Sequence, residues 1–177
     1  MRARLGEGFW FVYFQTPGVA DAELARDVAA TFRRLLYVGS GDGLPMELVV
    51  PPGGSLIDLW PEPDEVPGWL SQEDLDTFVT AFAESGFTGA LNWYRNMERN
   101  WELTAPWHHA IVPTTTLFIG GERELDFPGT RKGVQNLERV VPNLRRTVVM
   151  PGCGHWVQQE RPADVSAAML DFLRSLP

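Results

Sequence analysis

A single cysteine, Cys153, is all the thiol that this 177-residue chain carries. It cannot close an internal disulfide, and no zinc-type spacing of cysteines and histidines surrounds it, so the sequence suits a reducing compartment such as the cytoplasm. Positive charge is scarce as well. Fifteen Lys and Arg stand against 23 Asp and Glu, a net charge of −8, and the basic residues are scattered instead of lining one stripe. Phosphate backbones are repelled by such a surface, which excludes nucleic acid as a partner. No apolar run approaches the ~20 residues that a membrane-spanning helix requires. The N-terminal Met1-Arg2-Ala3-Arg4-Leu5-Gly6-Glu7-Gly8 leads into only a short aromatic stretch, so neither a membrane anchor nor a signal peptide is expected.

What is present is the composition of a folded protein: 44% of residues are apolar and 21% charged. Phe9 to Phe14 is short and aromatic and ends at the turn signal Gln15-Thr16-Pro17-Gly18. From Asp21 the apolar positions Leu24, Val28, Phe32, Leu35 and Leu36 recur at helical spacing and predict one amphipathic helix. Val38 to Pro63, broken by Gly39, Gly41, Gly43, Pro45, Pro51, Pro52, Gly53, Gly54, Pro61 and Pro63, reads as a long loop. Ser71 and Asp74 then cap a second helix with Leu75, Phe78, Val79 and Phe82 on its buried face, and Gly86 is placed to stop it. A third helix from about Thr88 carries Asn92-Trp93-Tyr94-Arg95-Asn96 and runs towards Trp101.

After Pro106 the pattern turns to alternating strand and helix. Thr114 to Ile119 predicts a buried strand, Gly129 to Val141 a helical stretch, Thr147 to Met150 a second strand, and Pro162 opens a last helix with Val165, Met169, Phe172 and Leu173 on one face. Two strands, each followed by a helix, predict the end of a parallel sheet, an α/β architecture. Strands this apolar call for more neighbours than the chain contains, so the sequence reads as part of a larger fold.

Two strand ends carry candidate chemistry. Met150-Pro151-Gly152-Cys153-Gly154-His155-Trp156 places a histidine just past the second strand, where the catalytic groups of open α/β sheets gather. The first strand runs into Gly120-Gly121-Glu122-Arg123-Glu124-Leu125-Asp126, so a carboxylate, Glu124 or Asp126, lies at the neighbouring strand end and can orient the imidazole as a base. The alternatives are a surface-loop histidine and an ordinary charged turn. An acid and histidine pair needs a nucleophile, yet no Gly-x-Ser-x-Gly or His-Asp-Trp-Gly type elbow occurs in the chain. Tyr94, between Trp93 and Arg95, carries a phenol able to donate to an oxygen that gains negative charge, although most such tyrosines are simply packed at a helix rim. Trp69, Trp93, Trp101, Trp107 and Trp156 line a pocket or stabilise a core; His108 and His109 suggest no role.

Several blocks together resemble the soluble epoxide hydrolases of the α/β-hydrolase fold. They are Tyr13-Phe14-Gln15-Thr16-Pro17-Gly18-Val19-Ala20-Asp21-Ala22-Glu23-Leu24, Pro67-Gly68-Trp69-Leu70, the segment from Gly86-Phe87 to Leu91-Asn92-Trp93-Tyr94-Arg95-Asn96, Trp101-Glu102, and Gly152-Cys153-Gly154-His155-Trp156 continuing to Gln158-Gln159-Glu160-Arg161-Pro162. The resemblance implies a partial α/β-hydrolase fold, with residues 1–105 a helical lid and 106–177 the last two parallel strands and helices of the core. It also implies that the nucleophile-bearing N-terminal half, with its aspartate elbow and His-Gly-x-Pro loop, is absent.

The implied chemistry opens a small apolar epoxide to a vicinal diol through an aspartyl ester, with no metal or organic cofactor. His155 would activate water, Glu124 would orient it, and Tyr94 would be one of two lid tyrosines that stabilise the opening oxygen. The second lid tyrosine falls at Trp10, three residues before the Tyr-Phe-Gln triplet, which leaves Trp10 or Tyr13 as its replacement. Without the aspartate the isolated chain is expected to be inactive, and a separate chain supplying the missing half, or a homo-oligomer, is the expected partner. A haloalkane dehalogenase-like hydrolase, which has no need of Tyr94, and a non-catalytic remnant or interaction fragment are the competing readings.

Overall fold

The computed structural model describes residues 6–43, 45–126 and 129–177. The first five residues of the N-terminal stretch, and Leu44 within the expected loop, lie outside the described residues. The chain divides into two compact units: described residues from 6 to 38 and from 45 to 106 form the first, and residues 39–43 with 107–177 form the second.

The first unit is helical. Helix α1, Trp10–Tyr13, is followed by a turn at Gly18, whose φ of 83° lies in the left-handed region that glycine tolerates. Helices α2, Val19–Leu24, and α3, Val28–Val38, occupy the stretch where the periodicity predicts one helix. Asp27 accounts for the division: its carboxylate accepts a hydrogen bond from the Ala30 amide at 2.9 Å, the side-chain cap that starts a new helix. The apolar stripe survives the break, with Leu24, Phe32 and Leu36 all buried.

The expected long loop is only partly a loop. It contains helix α4, Leu56–Leu59, and buries Val50, Leu56, Ile57 and Trp60, while Phe9 and Val49 form an antiparallel bridge. Its glycines and prolines mask this apolar content in any search for periodicity. Helix α5, Gln72–Ser85, begins where Ser71 Oγ accepts from the Asp74 amide at 3.1 Å and ends at Gly86, φ 69°. Of its expected face only Leu75 is fully buried; Phe78 and Phe82 are half-buried and pack on Phe32, with ring centroids 5.4 and 4.9 Å away. The expected third helix is also two, α6, Thr88–Arg95, and α7, Met97–Leu103, joined at Asn96.

The second unit holds two parallel strands, β1, Thr116–Gly121, and β2, Leu144–Met150, with Leu117 opposite Arg146 and Gly121 opposite Met150. Strand β2 starts three residues before the apolar run because Leu144 and Arg146 pair with Thr116 and Leu117, with Arg145 at an irregularity between them. Short helix α8, Thr130–Gln135, lies between the strands, and α9, Val157–Glu160, and α10, Pro162–Arg174, follow them. A small core of Met150, Cys153 and Ala168 is extended by Ile119, Val148, Val157 and Val165.

Two expectations need correction here. The strands are half-buried or exposed along most of their length instead of interior. On α10 the expected buried pair Met169 and Leu173 is 49% and 56% exposed, because the helix packs through Val165 and Ala168. The uncovered strands and helix face are apolar surface of the kind that another layer of an α/β sheet covers.

Candidate functional site

Both strands of the second unit end in tight backbone packing, and this brings their tips together. A β-carbon on Gly121 would lie 2.1 Å from the Gly154 carbonyl oxygen, and one on Gly154 would lie 2.4 Å from the Gly39 oxygen, so only glycine fits at these two positions. The Glu122 amide donates to the Met150 carbonyl at 3.0 Å, and the Arg123 amide to the Cys153 carbonyl at 2.9 Å. These bonds continue the ladder past the strand ends and fix the turn after β2 against the turn after β1.

On this frame Glu124, in the 3-10 turn Arg123–Asp126, meets His155: Glu124 Oε2 lies 3.2 Å from His155 Nδ1. A neutral imidazole protonated at Nδ1 donates to Glu124 and keeps the lone pair of Nε2 for a proton from elsewhere, the arrangement of an acid-oriented general base. The hydrogen bond that His155 donates to Glu124 raises the His155 pKa above its ordinary value; partial burial opposes the rise, and the charges of Glu124 and Glu160 add to it. The imidazole edge also meets the Trp156 ring at 4.7 Å. Asp126, the alternative acid, is paired with Arg131 at 2.8 Å instead. Glu122 accepts from the Gly152 amide at 3.0 Å, which steadies the same turn.

In the first unit Tyr94 is half-buried on α6, its ring edge-on to Trp10 at 5.3 Å and to Phe11 at 5.9 Å, with Phe14 5.3 Å away. Hydrogen bonds set this contact. The Gln15 side-chain amide donates to the carbonyls of Phe11 and Tyr94 at 3.0 and 3.1 Å, and Arg95 Nε donates to the Phe14 carbonyl at 2.9 Å. Arg95 also pairs with Asp21, which accepts further hydrogen bonds from Thr88 Oγ1 and the Gly18 amide.

Trp10 and Tyr13 are placed very differently. The Tyr13 hydroxyl donates to Glu23, whose other oxygen accepts from Ser55 Oγ at 2.9 Å and the Ile57 amide at 2.7 Å. Burial and the neighbouring Glu23 push the Tyr13 phenol above its usual range. Tyr13 is therefore tied into a structural network, whereas Trp10 lies beside Tyr94 with its indole N–H buried and unpaired among the described residues.

Of the tryptophans proposed as pocket or core, Trp93, Trp101 and Trp107 are exposed and contribute to no core; Trp69 and Trp156 are half-buried. No helix of the described residues is long and apolar enough to cross a membrane. The sequence pattern did not single out Glu160, whose carboxylate lies under the His155 turn, or the segment 39–43 that joins it there. The only cue is the glycine spacing of Gly39-Ser40-Gly41-Asp42-Gly43.

Comparison with known proteins bears on the family and the fold. Residues 13–168 match the model of the alpha/beta hydrolase family. The chain is 43% identical over 181 residues to Epoxide hydrolase A of Mycobacterium tuberculosis, covering 99% of this chain and 55% of that protein. Among solved structures it is similar to Epoxide Hydrolase A from Mycobacterium thermoresistibile, with a TM-score of 0.87 and 44% identity over 99% of this chain and 56% of that one. Potato (Solanum tuberosum) epoxide hydrolase I gives a TM-score of 0.86 at 36% identity, over 99% of this chain and 55% of that one. The chain thus spans little more than half the length of these relatives. With its paired strand-end acid and histidine and a family match that runs through both units, the chain belongs to the alpha/beta hydrolase family.

Proposed function

We propose that this chain provides the lid and the acid–base pair of an epoxide-hydrolysing enzyme, taking a small apolar epoxide to a vicinal diol. The observation that carries the reading is the Glu124 to His155 contact of 3.2 Å at successive strand ends. Residues 1–105 serve as the helical lid and 106–177 as the C-terminal part of the hydrolase core. An aspartate carboxylate, whose elbow motif is not among these 177 residues, attacks an epoxide carbon. The C–O bond breaks, and the departing oxygen takes a proton from the Tyr94 hydroxyl, with the Trp10 N–H as second donor. Nε2 of His155 then takes a proton from water as the water oxygen attacks the ester carbonyl; the ester C–O bond breaks, the diol oxygen takes the proton of the new carboxyl group to leave aspartate, and the proton on Nε2 returns through solvent to the Tyr94 oxygen. Glu124 holds the imidazole in the required tautomer and stabilises its cation.

A second copy of the same 177 residues lacks the elbow as well, so the aspartate is supplied by a front segment of family type, joined or separate. A single free thiol, Cys153, supports the reading that the protein works in a reducing compartment such as the cytoplasm. To test the reading, the chain is assayed for diol formation from an aryl epoxide, alone and fused behind the nucleophile-bearing front portion of a relative. The fusion is expected to turn over and the chain alone to be inactive. In the fusion, His155→Gln accumulates the covalent ester, and Tyr94→Phe slows its formation by roughly 10²- to 10⁴-fold. Unimpaired turnover by the His155→Gln fusion overturns the proposal. Normal turnover with Tyr94→Phe favours dehalogenase-like chemistry, for which a haloalkane is the diagnostic substrate.

A further inference from the structure

Beneath the His155 turn lies a carboxylate to which the proposed chemistry assigns nothing. Glu160, the last residue of α9, accepts from the Gly154 amide with both oxygens at 3.1 Å, from the Trp156 amide at 3.2 Å and from the Gly41 amide at 2.8 Å. Two of these amides flank His155 in sequence. The third comes from residues 39–43, a segment far away in the chain. That segment returns a bond of its own: the Gly39 carbonyl accepts from the His155 amide at 2.7 Å. The contact is backbone against backbone, for a β-carbon on Gly41 would lie 1.8 Å from the Gly152 oxygen. A carboxylate that gathers three amides is a charge-assisted hub, stronger than neutral hydrogen bonds of the same number.

We infer that Glu160 is a positioning residue for His155: it joins the residues 39–43 segment to the Gly152–Trp156 turn and so holds the imidazole at the angle at which Glu124 meets it. This inference rests on the reading of His155 as the general base. Glu160 acts on His155 in two ways. Mechanically, it fixes the amides on either side of the histidine and the segment that binds the histidine's own N–H. Electrostatically, it places a second negative charge near an imidazole that already faces Glu124, and that charge favours the protonated ring. Other charged groups border the turn: Glu122 and Arg123 from the end of β1, Asp42 from the 39–43 segment, and Arg161 and Asp164 from the start of α10.

The test uses the 177-residue chain and two readouts independent of turnover: the His155 imidazole titration by NMR, and amide hydrogen exchange. Glu160→Gln keeps the shape but removes the charge and turns an NH2 towards at least one backbone donor. It is expected to lower the His155 midpoint and to speed exchange at Gly41, Gly154 and Trp156 about tenfold or more, with Leu75 in the other unit unchanged. Glu160→Asp keeps the charge and shortens the reach, so exchange speeds while the midpoint moves less. Glu124→Gln lowers the midpoint without speeding exchange at Gly41. Unchanged exchange at Gly41 and Gly154 in Glu160→Gln overturns the inference. A midpoint that ignores Glu124→Gln instead overturns the acid–base reading on which it rests. Should Glu160→Gln lose its dispersed spectrum, Glu160→Asp decides by the same exchange criterion.

Discussion

Replacing Asp21 by asparagine tests whether the hydrogen bonds around Tyr94 are structural. Asp21 and Arg95 are 17% and 12% exposed at their side chains, largely but not fully shielded from solvent. Exposed pairs contribute about 0–1 kcal/mol, whereas removing one partner of a buried pair costs about 3–5 kcal/mol. The partial burial places Asp21→Asn between the two, at about 2–3 kcal/mol, because Arg95 stays behind as an unpaired cation against the Phe14 carbonyl. For a chain of this size each kcal/mol moves the melting midpoint by about 2–4 °C, so a drop of roughly 5–10 °C is expected in a thermal melt followed by circular dichroism. Glu102→Gln, which breaks the exposed Arg99–Glu102 pair, is the control and should move the midpoint by no more than about 2 °C.

The pH dependence has a definite sign. Hydrogen bonding to Arg95 holds the Asp21 carboxyl well below its ordinary range. A depressed carboxylate stabilises the fold at every pH above its unfolded value of about 3.9, and the contribution is lost as pH falls through the folded value. The gap between the parent chain and Asp21→Asn should therefore be constant from pH 5 to 8 and close only in stronger acid. A gap at pH 7 no larger than that of Glu102→Gln would refute the reasoning.

Leu56, fully buried within the glycine- and proline-rich stretch, should cost about 2–5 kcal/mol when changed to alanine, measured by urea unfolding; a change under 1 kcal/mol would show that the stretch is an ordinary loop. Gly121→Ala forces its methyl into the Gly154 carbonyl and should shift the His155 ring resonances as well as the melting midpoint, while Gly133→Ala, with open space around it, should do neither. Burial pushes the Cys153 thiol up and shields it, so iodoacetamide should label the folded chain far more slowly than the urea-unfolded one; equal rates would show that the turn opens freely.

Local signals in the sequence locate most of the helices. Ser71 and Gly86 bound α5 because a cap and a left-handed glycine act within one turn of chain, and Pro162 opens α10 for the same local reason. Periodicity alone missed the break at Ala25–Asp27, since the apolar stripe carries on across it, and no local signal marked the one at Asn96. It also missed α4, whose burial depends on partners such as Glu23 more than thirty positions away. The strand-end acid and histidine were legible because two strands followed by glycines can bring their tips together in few ways. The choice of Glu124 over Asp126 was not, since it depends on Arg131 engaging Asp126. Glu160 stayed hidden for a related reason: a carboxylate that binds only backbone amides leaves no side-chain partner to find in the sequence.

The split of the chain at residues 39–43 limits how these proteins can be recombined. Five residues of the second unit are encoded inside the gene segment for the first. A cassette exchange cut only near residue 106 would transplant Gly39–Gly43 along with the helices and leave the recipient's Gly152–Trp156 turn against a foreign backbone. Functional chimeras should require junctions on both sides of residues 39–43, or a donor in which Gly39, Gly41 and the residue equivalent to Glu160 are all retained.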